Sequence, residues 1–175
     1  MISRRESRVN YSAFYFQEYN TNMKTPMTLC LIHDHEKVLL GLKKQGLGMG
    51  RFNGFGGKVE PGESIEEATK REVLEEAGVT VENIEKMGQI DFEFAAKPGN
   101  FLEVHIYRAN AWKGEPRECD EMRPQWFSLG EIPIHNMWPD DSYWMPLFLK
   151  NKKFEGRFLF GPGDSVLEYT LRVVG

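Results

Sequence analysis

The sequence predicts an α+β fold. Most segments from residue 27 onward alternate apolar and polar residues as strands do, and only two segments have helical character. Those two lie far apart in the chain, and no internal repeat links them, which argues against a regular strand–helix alternation.

Of the 175 residues, 41% are hydrophobic and 27% are charged, so one domain with a packed core and a short appendage is expected. No run approaches the roughly 20 apolar residues that cross a bilayer, so no membrane partner is expected. The opening MISRRESRVN has no apolar signal segment. Cys30 and Cys119 match no zinc spacing and suggest no disulfide framework, which points to a reducing compartment. The cytoplasm is the expected location, with mitochondrial and nuclear pools as further ones. A net charge of −4 speaks against a dedicated nucleic-acid binder.

Residues 1–26 have no clear period and read as a flexible N-terminal extension, leaving 27–175 as the folded domain. Their Arg and Ser content is weakly like a mitochondrial presequence, but Glu6 and Glu18 count against targeting. Met23 and Met27 are alternative starts. MTLCLIH (27–33) and KVLLGLKK (37–44) flank a short polar turn and predict a hairpin. A glycine-rich stretch, 46–58, follows. Ser64 and Glu67 form an S-x-x-E capping box, and Gly78 is a natural stop, so a helix is predicted over 65–77. Strands are expected over 84–96, 101–112 and 122–129. A second helix is expected over 141–150, its boundary blurred by Pro146. Residues 154–160 and 166–174 close the chain as strands.

The charge is unevenly placed: residues 60–76 hold seven acids and two bases. On a helix, Glu72, Glu75 and Glu76 fall on one face, where like charges repel. One reading is an acidic solvated face. The other is a site for a hard divalent cation, Mg²⁺ or Mn²⁺, which carboxylates, water and phosphate oxygens suit. Gly54, Gly56 and Gly57, with Lys58 beside them, allow close backbone approach to a ligand, or simply a turn.

Gly57, Glu63 and Arg71-Glu72-Val73-Leu74-Glu75-Glu76-Ala77-Gly78-Val79 together fit the pattern G-x5-E-x7-R-E-U-x-E-E-x-G-U, with U apolar, at every fixed position. By that motif the chain is identified as a member of the Nudix family. The resemblance implies an α/β/α sandwich with a central mixed β-sheet and two principal helices. It also implies hydrolysis of a nucleoside diphosphate linked to another group. The implied metal site is Glu72, Glu75 and Glu76 with the Gly56 carbonyl, joined by Glu121. Arg71 and Glu63 are implied to orient the loop against the helix. Metal ions on a pyrophosphate would neutralise charge and activate water. Glu76 and Glu121 are the candidates for catalytic base, and a ligated carboxylate is a poor one, so the choice between them stays open.

Downstream, MWPDDSYW (137–144) is informative. Trp138 can wall in a purine or fill a core; Asp140 and Asp141 can read a base edge or open a helix. With NGFGGKV (53–59), VLLG-x-KK (38–44), GQI-x-FEF (88–94) and DEMRP (120–124), this run resembles the MutT-type members that act on oxidised purine nucleoside triphosphates. That likeness implies substrates such as 8-oxo-dGTP and 2-hydroxy-dATP, with methylated purines also possible. It places Thr28, Lys43, Asn53, Phe55, Gly56, Gly57, Lys58, Phe92, Trp138, Pro139, Asp140 and Asp141 around the substrate, with Phe160 near them. It also implies a monomer whose only partner is the small nucleotide, and a role in cleansing the nucleotide pool. Met27, Leu47 and Phe52 depart from the mammalian pattern of tyrosine, phenylalanine and tryptophan, which alters apolar shape near the pocket. The rivals are a Nudix hydrolase of ADP-ribose or dinucleoside polyphosphates and a non-catalytic nucleotide sensor. His33, His35, His105 and His135 show no ligand spacing.

Overall fold

The computed structural model describes residues 23–175, and residues 1–22 of the expected extension lie outside it. The elements run β1 (Met23–His33), β2 (Lys37–Lys43), β3 (Phe52–Asn53), α1 (Ile65–Ala77), β4 (Ile84–Phe94) and β5 (Asn100–Ala109). They continue as β6 (Met122–Ser128), α2 (Asp141–Leu149), β7 (Phe154–Phe160) and β8 (Val166–Val173). The strands form a single mixed sheet in the order β3-β2-β1-β5-β4-β7-β8, with β6 on β2.

The sheet is buried on both faces, and period-2 alternation decides which helix each residue meets. Cys30, Ile32, Leu39 and Tyr107 pack with Val73 and Ala77 of α1. Their neighbours Leu31, Leu40 and Ile106 pack with Trp144, Met145 and Phe148 of α2. This is the expected α/β/α sandwich.

α1 is built as its sequence dictates. Ser64 Oγ accepts from the Glu67 N–H at 3.2 Å, and Glu67 Oε2 accepts from the Ser64 N–H at 2.8 Å. Gly78, at φ 72°, ends the helix in the left-handed region, where glycine is unstrained.

Three features differ from expectation. β1 starts at Met23, four residues before the predicted strand. It runs parallel to β5 from Met23↔Asn100 to Ile32↔Ala109, a long-range pairing that local alternation does not reveal. The β1–β2 hairpin is correspondingly short, with Ile32↔Leu39 and His33↔Val38 in register around an Asp34 turn. Phe52–Asn53, inside the glycine-rich stretch, forms a short strand on β2. α2 ends at Leu149, near its expected boundary.

Replacing Ser64 with Ala removes one cap of the box. It should cost about 1 kcal/mol and lower the melting temperature by about 2–4 °C. Thermal denaturation by circular dichroism checks this, and a loss of more than twice that would mean Ser64 supports more than its own helix.

Candidate active site

Between the glycine-rich stretch, the acidic face of α1 and the start of α2 lies a cleft of about 780 Å³. Its floor is the α2-side face of the sheet, with Leu102, Val104 and Ile106 from β5 and Phe92 and Phe94 from β4.

One end is carboxylate. Glu72, Glu75, Glu76 and Glu121 all border it, with Lys43 and Lys58. Glu76 is buried; its Oε2 accepts from the Gly56 N–H at 2.9 Å and its Oε1 from Lys43 Nζ at 3.1 Å. The same ammonium donates to Glu121 Oε2 at 3.1 Å, so one cation bridges two acids from distant parts of the chain. Burial raises the pKa of both Glu76 and Glu72. Burial alone would lower that of Lys43, but Glu76 and Glu121 outweigh it and raise it.

Arg71 organises the helix face. Its Nε and Nη2 grip Glu63 at 2.8 and 3.0 Å, and Nη1 reaches Glu72 at 2.9 Å and Glu75 at 3.2 Å. Nη2 also donates to the Lys58 carbonyl at 3.1 Å, tying loop to helix as the sequence implied. The glycines permit this closeness. A Cβ on Gly56 would stand 2.0 Å from the Thr28 carbonyl oxygen, and one on Gly57 would stand 2.4 Å from Glu72 Oε1.

The other end is aromatic and acidic, lined by Trp138, Trp144, Phe160, Asn53, Asp140 and Asp141. Asp140 does not cap α2: its Oδ2 accepts from Trp144 Nε1 at 2.9 Å instead. Asp141 Oδ2 accepts from the Trp138 N–H at 2.8 Å. The two acids are 4% and 2% exposed, so one cannot ionise without feeling the other. Burial pushes the Asp140 carboxyl up to about 6; burial and the charge of Asp140 push Asp141 well above its ordinary value. The pair therefore holds a proton more readily than two ordinary carboxyls would.

Most residues implied by the resemblance meet in this cleft: Thr28, Lys43, Asn53, Gly56, Gly57, Lys58, Phe92, Trp138, Asp140, Asp141 and Phe160 all border it. Two do not. Phe55 bridges to Cys30 and, by strand alternation with Gly54 and Gly56, turns into the α1-side core, where it is fully buried. Pro139 stays outside the lining, in the turn before α2, where its carbonyl accepts from Ser142 Oγ at 2.8 Å. Of the three departures, Met27 and Leu47 border the cleft, whereas Phe52 packs edge-on against Phe127. Among the described residues, no histidine borders it. Sequence reading missed the β5 floor, because alternation shows that a strand has two faces and not which one meets the cleft. It also missed Gln45, Gly46 and Gly48, and Arg51, whose guanidinium lies 4.3 Å from the centre of the Trp138 ring.

A mixed sheet between two helices, with a glycine loop locked by Arg71 against three glutamates of one helix, defines a pyrophosphate-cleaving class. The chain belongs to the Nudix family: the model of the NUDIX domain matches residues 23–148. It is similar to two proteins called oxidized purine nucleoside triphosphate hydrolase. The one from Mus musculus is 53% identical, covering 84% of this chain and 94% of the mouse protein. The one from Danio rerio is 50% identical, covering 83% and 92%. In structure it is similar to the MutT protein of Bacillus halodurans, with a TM-score of 0.76 and 30% identity over 84% of this chain and 97% of the other.

Nudix hydrolases use a divalent metal ion. Among the described residues, no three acidic, histidine or cysteine side chains are already drawn together as a coordination set. The donors nevertheless suit such an ion. They are hard oxygens, they crowd one helix face, and the ammonium of Lys43 already lies between two of them.

Raised carboxyl pKa values have a cost that depends on pH. A folded-state value near 6 for Asp140, above its usual 3.8, gives stability that is full below about pH 4 and lost as pH rises through 6. Asp140→Asn keeps an acceptor for Trp144 and removes this loss. Relative to wild type, the variant should gain about 1–3 kcal/mol between pH 4 and 7. Urea denaturation across that range reads the difference, and a flat difference would mean that Asp140 is ionised at no cost.

Proposed function

We propose that this chain hydrolyses oxidised purine nucleoside triphosphates, such as 8-oxo-dGTP and 2-hydroxy-dATP, to the monophosphate and pyrophosphate. The observation that carries this reading is the cleft with two chemically opposed ends. A carboxylate end suits a polyphosphate with its cation, and a buried Asp140–Asp141 pair beside Trp138 suits a purine edge. The names of the mouse and zebrafish relatives support the same substrate class.

In this reading Glu72, Glu75, Glu76 and Glu121, with the Gly56 backbone, hold Mg²⁺, and Mn²⁺ can replace it. The ion supplies charge neutralisation on the phosphates and lowers the pKa of water. Lys43 and Lys58 attract the triphosphate. Water attacks the α-phosphorus, and its proton passes to the Glu76–Glu121 pair. At the other end, an ionised carboxylate only accepts, whereas a protonated one also donates. The single proton favoured by the Asp140–Asp141 pair can then sit on either acid and match more than one damaged purine, methylated ones included. The protein acts as a monomer on a small nucleotide, in the cytoplasm with mitochondrial and nuclear pools. It thereby keeps mutagenic bases from being incorporated.

Product analysis on a panel of modified and unmodified purine triphosphates with Mg²⁺ tests the proposal. Oxidised purines should give monophosphate and pyrophosphate at the highest kcat/KM, and a preference for ADP-ribose or dinucleoside polyphosphates would overturn it. Glu76→Gln should lower kcat by about 10²-fold or more while the circular dichroism spectrum stays native. Near-normal turnover would remove Glu76 from the metal site.

Asp140→Asn and Asp141→Asn separate base reading from folding. Each amide fixes one hydrogen-bond pattern, and a mismatched buried group costs about 1–3 kcal/mol. The ratio of oxidised guanine to oxidised adenine turnover should therefore shift differently in the two variants, and its pH dependence should flatten. Equal losses on every substrate, with the wild-type pH profile kept, would exclude proton-switched reading.

A further inference from the structure

Trp138 borders the cleft, yet the group that fixes its ring stands outside the lining. The guanidinium carbon of Arg51 lies over the indole, 4.3 Å from the ring centre. Its Nη1 donates to Asp164 Oδ2 at 2.8 Å. Asp164 lies in the turn between β7 and β8, and Arg51 lies just before β3, so this ion pair joins two connections 113 residues apart in the chain. The Asp164 backbone is at φ 59°, next to Gly163 at φ 65°. An unusual left-handed conformation at a non-glycine residue persists where surroundings hold it. Here it accompanies a carboxylate that meets the Arg51 guanidinium. The indole edge is packed too: a Cβ on Gly48 would come within 3.0 Å of Trp138 Nε1. Phe160 stands 5.8 Å away, ring centre to ring centre. The ring is thus held by a planar cation on one face and by glycine backbone at its edge.

We propose that Arg51, held by Asp164, is a positioning and specificity-determining residue that fixes Trp138 as a rigid wall for the purine. The proposal rests on the functional reading above for the identity of the base. It rests on the Arg51–Trp138–Asp164 geometry alone for the clamp. A planar guanidinium matches a flat ring, and an aliphatic ammonium does not. A wall fixed in advance leaves less side-chain freedom to be lost on binding, so its effect belongs in substrate affinity more than in the chemical step.

The experiment uses the full chain with Asp164→Asn, Arg51→Met and Trp138→Ala, alone and combined. The first is a conservative change at a half-exposed residue and guards against a folding defect in the second. Without any substrate, ¹H–¹⁵N spectra report the four indole N–H groups separately. In Asp164→Asn the Trp138 resonance should shift or broaden, while those of Trp112, Trp126 and Trp144 stay in place. An unchanged Trp138 resonance in both Asp164→Asn and Arg51→Met would overturn the clamp, whatever the substrate. In steady-state kinetics, Arg51→Met should raise KM for the preferred oxidised purine triphosphate roughly three- to tenfold, with kcat within twofold. KM for the unmodified nucleotide should move less. In the Trp138→Ala background, Arg51→Met should add no further loss. A loss that persists there, or that falls equally on kcat and on every nucleotide, would overturn the specificity role. A wild-type preference for a different nucleoside diphosphate derivative would defeat the functional reading, and the indole spectra would still decide the clamp.

Discussion

Arg71 is the contact on which the site depends. Three glutamates on one helix face repel, and two of them sit in or near the protein interior, where repulsion is least screened. The forked guanidinium answers this by bonding to Glu63, Glu72 and Glu75 together, and by taking the Lys58 carbonyl as well. It thereby holds the glycine loop at a distance that no side chain would tolerate. A second cation, Lys43, does the same for Glu76 and Glu121. The acidic end is an ionic network assembled from β2, α1 and the approach to β6, in which two cations serve five carboxylates.

The sheet divides the molecule so that chemistry and packing occupy different places. α1 turns Val73 and Ala77 into one core and offers Glu72 and Glu76 at its border with the cleft. α2 turns Trp144 and Phe148 into the other core, while Asp141, its first residue, and Asp140 just before it face the cleft. Both helices are anchored by apolar side chains and present acids at one end. The carboxylate end and the aromatic end therefore sit on separately supported elements, and a change at one end need not disturb the other.

Much of this was legible in the chain itself. The capping box and Gly78 delimit α1 because they are local hydrogen-bond devices, and both are present as read. Glu72, Glu75, Glu76, Trp138, Asp140 and Asp141 fall in one cleft as their motifs implied. What was hidden is non-local. The four extra residues of β1 belong to the sheet only because β5 lies beside them, and a parallel partner leaves no mark on its neighbour's sequence. Phe55 was drawn into the site by its place in NGFGGKV, but alternation turns it the other way. No local pattern singles out Arg51, since its partners, Trp138 and Asp164, come from the distant C-terminal part of the chain.

The parallel pairs of the sheet also govern when this cleft can exist. β1 must wait for β5, and β4 for β7, so the sheet closes only after most of the chain has been made. Such topologies have high contact order, and loop closure must be achieved before the distant contacts reward it. The aromatic end is completed late, because Phe160 belongs to β7. A nascent or truncated chain can carry the whole acidic helix sequence with its capping box and still lack Phe160, which lines the far end of the cleft. The motif is thus complete in the chain well before the cleft around it can be.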